Sequence, residues 1–287
     1  MRTLVTVTCD RDRWTFKRQF KSALKCLTPC HWIIVPNNND DTKWTEWFNS
    51  WQHSVPTNFT YEIISAKDIF RKNLKKENID LLYKRLYGYN RQSVLKLVVA
   101  DHVKTNEYVS IDSKIWFVRP TDINKIAQQD RDEYTMDIPT VDEGERLWKL
   151  RPKLISNQIT PHVMDTKIVS EMLNSFGSIN NYCEFFINGV TNNKWSEDDN
   201  KMQNLAEFYI YDIYCQAHNL LTDVKRENPW IHNSQGHFNR FNKQAVLEKI
   251  KHKDLQILSV WWHKGVISEE DKETVWQNVQ NVHDGIA

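Results

Sequence analysis

The stretch GYNRQSVLKLVVADHVKTNEYVSIDSKIWFVRP, residues 88–120, couples a helix to a strand and ends the strand on an acid. Val94, Leu95, Leu97, Val98 and Val103 predict a long, largely buried helix over residues 88–104. Tyr108 to Ile111 suit a strand that runs straight into Asp112-Ser113-Lys114. A buried strand that delivers an acid to its exposed C-terminal end is a common way for α/β proteins to build a site. Upstream, TLVTVT (3–8) reads as a strand ending at Cys9-Asp10, and Phe16, Phe20, Leu24 and Leu27 recur at helical spacing. HWIIV (31–35), stopped by Pro36, and YEIIS (61–65) read as two more strands, with a helix within 44–57. This order predicts right-handed βαβ units in a mostly parallel central sheet flanked by helices.

Downstream, residues 120–160 are polar and irregular and read as surface loops or a small insertion. Asp165 or Thr166 suits the cap of a helix facing inward through Ile168, Val169, Met172, Leu173 and Phe176. Ser196-Glu-Asp-Asp reads as the start of another helix, with Met202, Leu205, Ala206, Tyr209 and Ile213 as its apolar stripe. LQILSVWW (255–262) reads as a late strand, followed by His263 and a C-terminal helix. No repeat or linker divides the chain, so a single domain over 1–287 is expected.

Composition sets limits on function. The formal charge is +1, which gives no overall footprint for nucleic acid as a partner and leaves room only for a local basic groove. Seven glycines, none in a G-x-G-x-x-G or P-loop pattern, leave no Gly-rich phosphate cradle. Five irregularly spaced cysteines do not form a disulfide framework, and Cys26 falls on the buried face of the first helix. The start of the sequence becomes charged too soon for a signal peptide, and no apolar run reaches the length of a membrane span. A cytoplasmic protein is the expectation. The twelve tryptophans suit either core filling or stacking on sugar rings.

A strand-end acid such as Asp112, taken alone, is more often a cap or turn residue. Its neighbourhood adds Arg91, Gln92 and Lys96 on the preceding helix, with residues 92 and 96 one turn apart on one face. That face suits a diphosphate, or else is a solvated polar face.

These segments resemble a group of GT-A-type glycosyltransferases, common in bacteria and phages. GYNRQSVLKLVVADHV followed by EYVSIDSKIWFVRP is similar to that family's G-Y/W-x-x-Q-Q-x-x-K-L helix and its D-S-D strand end. ITPHVMDTKIVSEML (159–173) resembles its T-P-x-V block, and LAEFYIYDIYC (205–215) its late Glu-Tyr helix. The blocks keep the family's order across roughly residues 3–218. The resemblance implies a Rossmann-like GT-A fold, with a nucleotide-sugar half over about 1–120 and an acceptor half over about 121–287. Its donor-binding residues would be Thr8, Asp10, Arg91, Gln92, Lys96, Asp112, Ser113 and Lys114; Thr160, Pro161 and Tyr211 would lie on the acceptor side.

The departure is Lys114, where the family carries the second acid of its Asp-x-Asp motif. In such enzymes that acid helps ligate Mn²⁺ or Mg²⁺, which an ammonium cannot do. The pattern therefore admits a metal-independent transferase, a metal held by Asp112 and another ligand, or an inactive relative. His263, at the end of the late strand, is the candidate for that other ligand. Glu207 is the candidate base for an acceptor hydroxyl, with Asp198 second. The expected function is sugar transfer from a nucleotide sugar to a carbohydrate or other hydroxyl acceptor. The alternative is a non-catalytic nucleotide-sugar or carbohydrate binding protein on the same fold.

Overall fold

The structure is a computed structural model that describes residues 1–38, 40–52, 59–86, 88–126, 131–132, 138–149, 155–156, 160–191, 207–220, 231–233, 242–259 and 268–286. Its centre is a five-stranded sheet in the order β3-β2-β1-β4-β8. The strands are β1 (Thr3–Thr8), β2 (His31–Pro36), β3 (Thr60–Ile63), β4 (Glu107–Asp112) and β8 (His162–Asp165). β1 pairs in parallel with both β2 and β4, β2 pairs in parallel with β3, and β8 closes the far edge antiparallel to β4.

Both faces of this sheet are covered, which is why its central strands are apolar at consecutive positions. The period of two sorts them. Leu4, Trp32, Ile34, Val109 and Ile111 join one core with Phe16, Phe20, Ala23 and Cys26 of α1 (Arg13–Cys26) and Trp44 and Phe48 of α2 (Thr42–Asn49). Val5, Val7, Ile33, Val35 and Tyr108 join the other. That second core is filled by α3 (Ala66–Asn73), α4 (Lys76–Arg85), α5 (Gly88–Val98), α7 (Thr166–Asn174), α8 (Ile179–Thr191) and α9 (Glu207–Ala217). Asp165 caps α7, its carboxylate accepting the Ile168 N–H at 2.9 Å. Trp32, Trp44 and Trp116 are fully buried, so these tryptophans fill the cores.

Several expectations shift. The helix expected over 88–104 ends at Val98 and continues as a tight 3-10 turn over Val99–His102. The stretch 120–160, expected as surface loops or a small insertion, contains the helix α6 (Ile138–Trp148) and the short paired strands β6 (Arg131–Asp132) and β7 (Ile155–Ser156). Pro139 falls in the first turn of α6, where a missing N–H does no harm. The segment read as a helix start at Ser196 lies outside the described residues, and α9 is described from Glu207.

After Asp112 the chain leaves the central sheet. A turn at Ser113-Lys114 leads into β5 (Ile115–Phe117), which joins a second sheet, β5-β10-β9. There β10 (Ile257–Ser259) pairs antiparallel to β5 and parallel to β9 (Ile231–Asn233). The late strand was expected to run to residue 262; residues 260–267 are outside the described set. Two helices, α10 (Lys243–Lys251) and α11 (Glu269–His283), pack a third core of Trp116, Val246, Ile250, Leu258, Val275, Trp276 and Val279. Asp112 therefore stands at the corner where two sheets part.

Candidate functional site

Asp112 is the last residue of β4 and its side chain is about 90% buried, with 10% exposure. Its surroundings hold it through several independent contacts. The Lys96 ammonium lies 2.9 Å from Oδ1, and Gln92 Nε2 donates to the same oxygen at 3.0 Å. The backbone is fixed as well. Gln19 of α1 donates to the Asp112 carbonyl at 2.6 Å, and the Asp112 N–H donates to Thr160 Oγ1 at 3.3 Å. Among the described residues Oδ2 receives no hydrogen bond.

Helical side chains lean toward their own N-terminus, and this explains how Lys96 reaches the corner. Its carbonyl sits lower in the sheet, accepting the Tyr108 hydroxyl at 2.8 Å, while its Nζ rises to Asp112. The same ammonium donates to Glu207 Oε1 at 2.7 Å. Glu207 opens the described part of α9, and its Oε2 likewise receives no hydrogen bond from the described residues. Phe208 places its ring 4.8 Å from Lys96 Nζ, and His162 stacks on Phe208 with centroids 4.3 Å apart. Burial alone would lower the pKa of Lys96, but the Asp112 and Glu207 carboxylates overcome it and hold it above the usual lysine value. The outcome is a buried ammonium between two carboxylates, each keeping one oxygen uncommitted among the described residues.

The other expected residues separate into two groups. Thr160 is fully buried and braces the Asp112 backbone, with a cis peptide linking it to the buried Pro161. Ser113 is buried beside Asp112, and Lys114 is half-buried in the same turn. Thr8, at the end of β1, is buried with no partner for its Oγ1 among the described residues. Asp10 pairs with Arg13 at 2.7 Å, and its N–H donates to Asn38 Oδ1.

Arg91 is held on the side of the loop after β2. Its guanidinium bonds Asn37 Oδ1 at 3.1 Å and lies over the Tyr83 ring, tying α5 to the loop after β2. Tyr211 is a core residue whose hydroxyl accepts the Asp165 N–H at 3.0 Å. Burial raises the Tyr211 hydroxyl well above its usual pKa. Asp198 and His263 lie outside the described residues.

Gln19 is the positioning residue that sequence reasoning missed. With Ser22 it interrupts the apolar face of α1 formed by Phe16, Phe20 and Ala23, and that interruption is its signal. The cysteines offer no nucleophile here: burial pushes Cys26 up to about 11 and Cys30 up to about 12.

A divalent ion is the usual partner of an Asp-x-Asp corner. Among the described residues no group of three or more His, Cys, Asp or Glu side chains lies together. The two carboxylates that meet here already share an ammonium, and Lys114 occupies the place of the second acid. Among the described residues this donor set does not by itself make a divalent-ion site, and His263 lies outside them.

The four-stranded parallel core and the antiparallel edge strand make a Rossmann-like fold of the GT-A type. Among solved structures the chain is similar to mouse xyloside xylosyltransferase 1 in its apo form, with a TM-score of 0.52. The match covers 93% of this chain and 99% of that one at 8% identity, so the likeness concerns the fold alone. Residues 15–281 match DUF6492, described as a family of unknown function, and the chain belongs to that family. No curated protein matches it. Among the described residues no helix is long and apolar enough to cross a membrane.

Proposed function

We propose that this protein transfers a glycosyl group from a nucleotide sugar to an acceptor hydroxyl at the Asp112–Lys96–Glu207 corner. The observation that carries this reading is the buried ammonium shared by two carboxylates at the C-terminal edge of the sheet. Buried ion pairs contribute little net stability compared with apolar packing. A buried lysine of raised pKa, compensated by two carboxylates at a strand end, favours chemistry over architecture.

In the proposed reaction the bond from the donor's anomeric carbon to the diphosphate oxygen breaks, and the electron pair leaves with the diphosphate. The acceptor oxygen bonds to the anomeric carbon and its proton passes to a carboxylate. Glu207 Oε2, uncommitted among the described residues, is the assigned proton acceptor. Asp112 Oδ2 is held rigidly enough to orient donor hydroxyls. The Lys114 ammonium brings positive charge to the turn where the leaving diphosphate would lie.

The test measures heat of binding for a panel of nucleotide sugars, with Mn²⁺ or with EDTA, together with slow donor hydrolysis. One donor is expected to bind and to be hydrolysed slowly. Glu207→Gln should lower hydrolysis by about 10²- to 10⁴-fold with little change in donor binding. Lys114→Asp should weaken binding in EDTA, and recovery with Mn²⁺ would identify a displaced metal site. Absence of binding by every donor would overturn the proposal. Binding without hydrolysis or transfer would favour the second reading, a nucleotide-sugar binding protein, which the substitution of Lys for the second acid also supports.

A further inference from the structure

Outside this corner, the face of α1 turned away from the sheet borders a cleft of about 520 Å³. Arg13, Lys17 and Lys21 line it at successive turns, together with Trp14, Trp47 and Trp276. Arg18 and Glu273 complete the wall and pair with each other at 2.5 Å. The aromatic rings are already arranged around cations: Arg18 lies 3.4 Å from the Trp14 centroid, Arg13 5.2 Å from Trp47, and Lys17 5.1 Å from the neighbouring Trp51.

The cations are unevenly compensated. Arg13 pairs with Asp10 and Arg18 with Glu273, but Lys17 and Lys21 meet no carboxylate among the described residues. Burial, followed by repulsion from Lys21 and Arg18, lowers the pKa of Lys17. A bound anion would relieve that repulsion.

We propose that this cleft binds a saccharide bearing an anionic group, with sugar rings against the tryptophans and the acid on Lys17 and Lys21. Several features favour this occupant. The volume falls within the range of small-ligand sites. Trp14 and Trp47, half-buried beside cations, match a ring that has both an apolar face and an acid, while the buried Trp276 closes the wall. The formal charge of +1 gives the molecule as a whole no field that draws in nucleic acid, which leaves that partner to the test below. Position adds a link to the transferase reading, on which the acceptor role rests: α1 begins just after β1, and Arg13 pairs with Asp10 at the sheet's C-terminal edge. On that reading the saccharide held in the cleft would be the acceptor.

The test uses the full chain with a galacturonic acid trimer, maltotriose as its neutral counterpart, and a single-stranded DNA trinucleotide. Binding is read by heat and by tryptophan fluorescence, with donor hydrolysis assayed in parallel. The acidic trimer is expected to bind at least about tenfold more tightly than maltotriose and to perturb tryptophan emission. Lys17→Glu/Lys21→Glu, two surface changes, should weaken that binding about tenfold or more while leaving nucleotide-sugar binding unchanged. Equal binding of both trisaccharides, no binding of the acidic one, or indifference to the charge reversal would overturn the proposal. Preference for the trinucleotide would overturn it in favour of a nucleic acid partner. Acidic-trimer binding without donor hydrolysis would remove the acceptor role and the transferase reading while leaving the cleft assignment standing.

Discussion

Lys96 determines how the corner behaves, because its ammonium compensates two carboxylates at once. Lys96→Met should therefore lower stability by about 3–5 kcal/mol, the penalty of leaving buried acids without a counter-charge. Adding Asp112→Asn and Glu207→Gln to that variant should restore much of the loss, which denaturant melts would show. A triple variant no more stable than Lys96→Met would mean that the three groups do not act as a unit. Alkali is a poor substitute for the mutation. A lysine whose folded pKa is raised keeps its contribution below about pH 10, losing it only as pH rises through the folded value. Asp41 gives a pH test in an accessible range. Burial raises its carboxyl to about 6 from 3.8, while the Asn38 N–H on its Oδ1 opposes the rise. Its contribution is complete below about pH 3.8 and is lost as pH rises through about 6. Thermal melts between pH 4 and 7 should show the native Tm falling relative to that of Asp41→Asn, and parallel curves would refute the assignment. The i, i+4 spacing of Gln92 and Lys96 was legible in the sequence, and both converge on one Asp112 oxygen. The commitment of Lys96 to Glu207 was not legible, because 111 residues separate them and the contact exists only once α9 packs on α5.

At the scale of elements, legibility followed the strength of local pattern. β1, α1 and β2 announced themselves through β-branched runs and one apolar helix face. α6 did not, because its proline, glycine and acids imitate loop composition. Gly144 there serves close packing. A Cβ at this position would approach Ile213 Cγ2 of α9 to 2.6 Å, and Ile213 is fully buried. Gly144→Ala gains about 1 kcal/mol of helix propensity against that contact. Gly144→Leu has no such balance and should destabilise by about 1–3 kcal/mol through overpacking. Since α9 carries Glu207, Gly144→Leu should also slow donor hydrolysis beyond what the loss of folded protein explains. A rate that tracks only the folded fraction would show that α6 does not position α9. α4 was similarly hidden: it is a charged helix whose Leu82 is buried in the core it shares with α8, so tertiary packing and not propensity fixes it.

For the whole molecule, the decisive event is the departure of the chain from the central sheet after Asp112. The sequence shows a strand reaching an acid, but the exit into a second sheet depends on partners about 140 residues further along, at β10. The second sheet is secured from the C-terminal side. Lys25 pairs with Asp284 at 2.8 Å, and His283 Nε2 lies 2.9 Å from the Phe117 carbonyl. Arg119 donates to the Ile250 and Leu255 carbonyls at 3.0 Å each, joining the end of β5 to the α10–β10 connection. The position of the Ser113-Lys114 turn is thus set jointly by β4 on one side and by the β5–β10 unit on the other. Leu258 is fully buried and lies opposite Trp116 in the β5–β10 register. Leu258→Ala should therefore cost about 2–5 kcal/mol by opening a cavity in the third core. Hydrogen exchange should accelerate most at β5, β10 and the Ser113-Lys114 amides, and less at β1 and β2. Equal acceleration across both sheets would indicate one cooperative unit, in which the turn holds its place through the central sheet alone. Selective acceleration would show that the C-terminal core holds the corner on which the proposed chemistry depends.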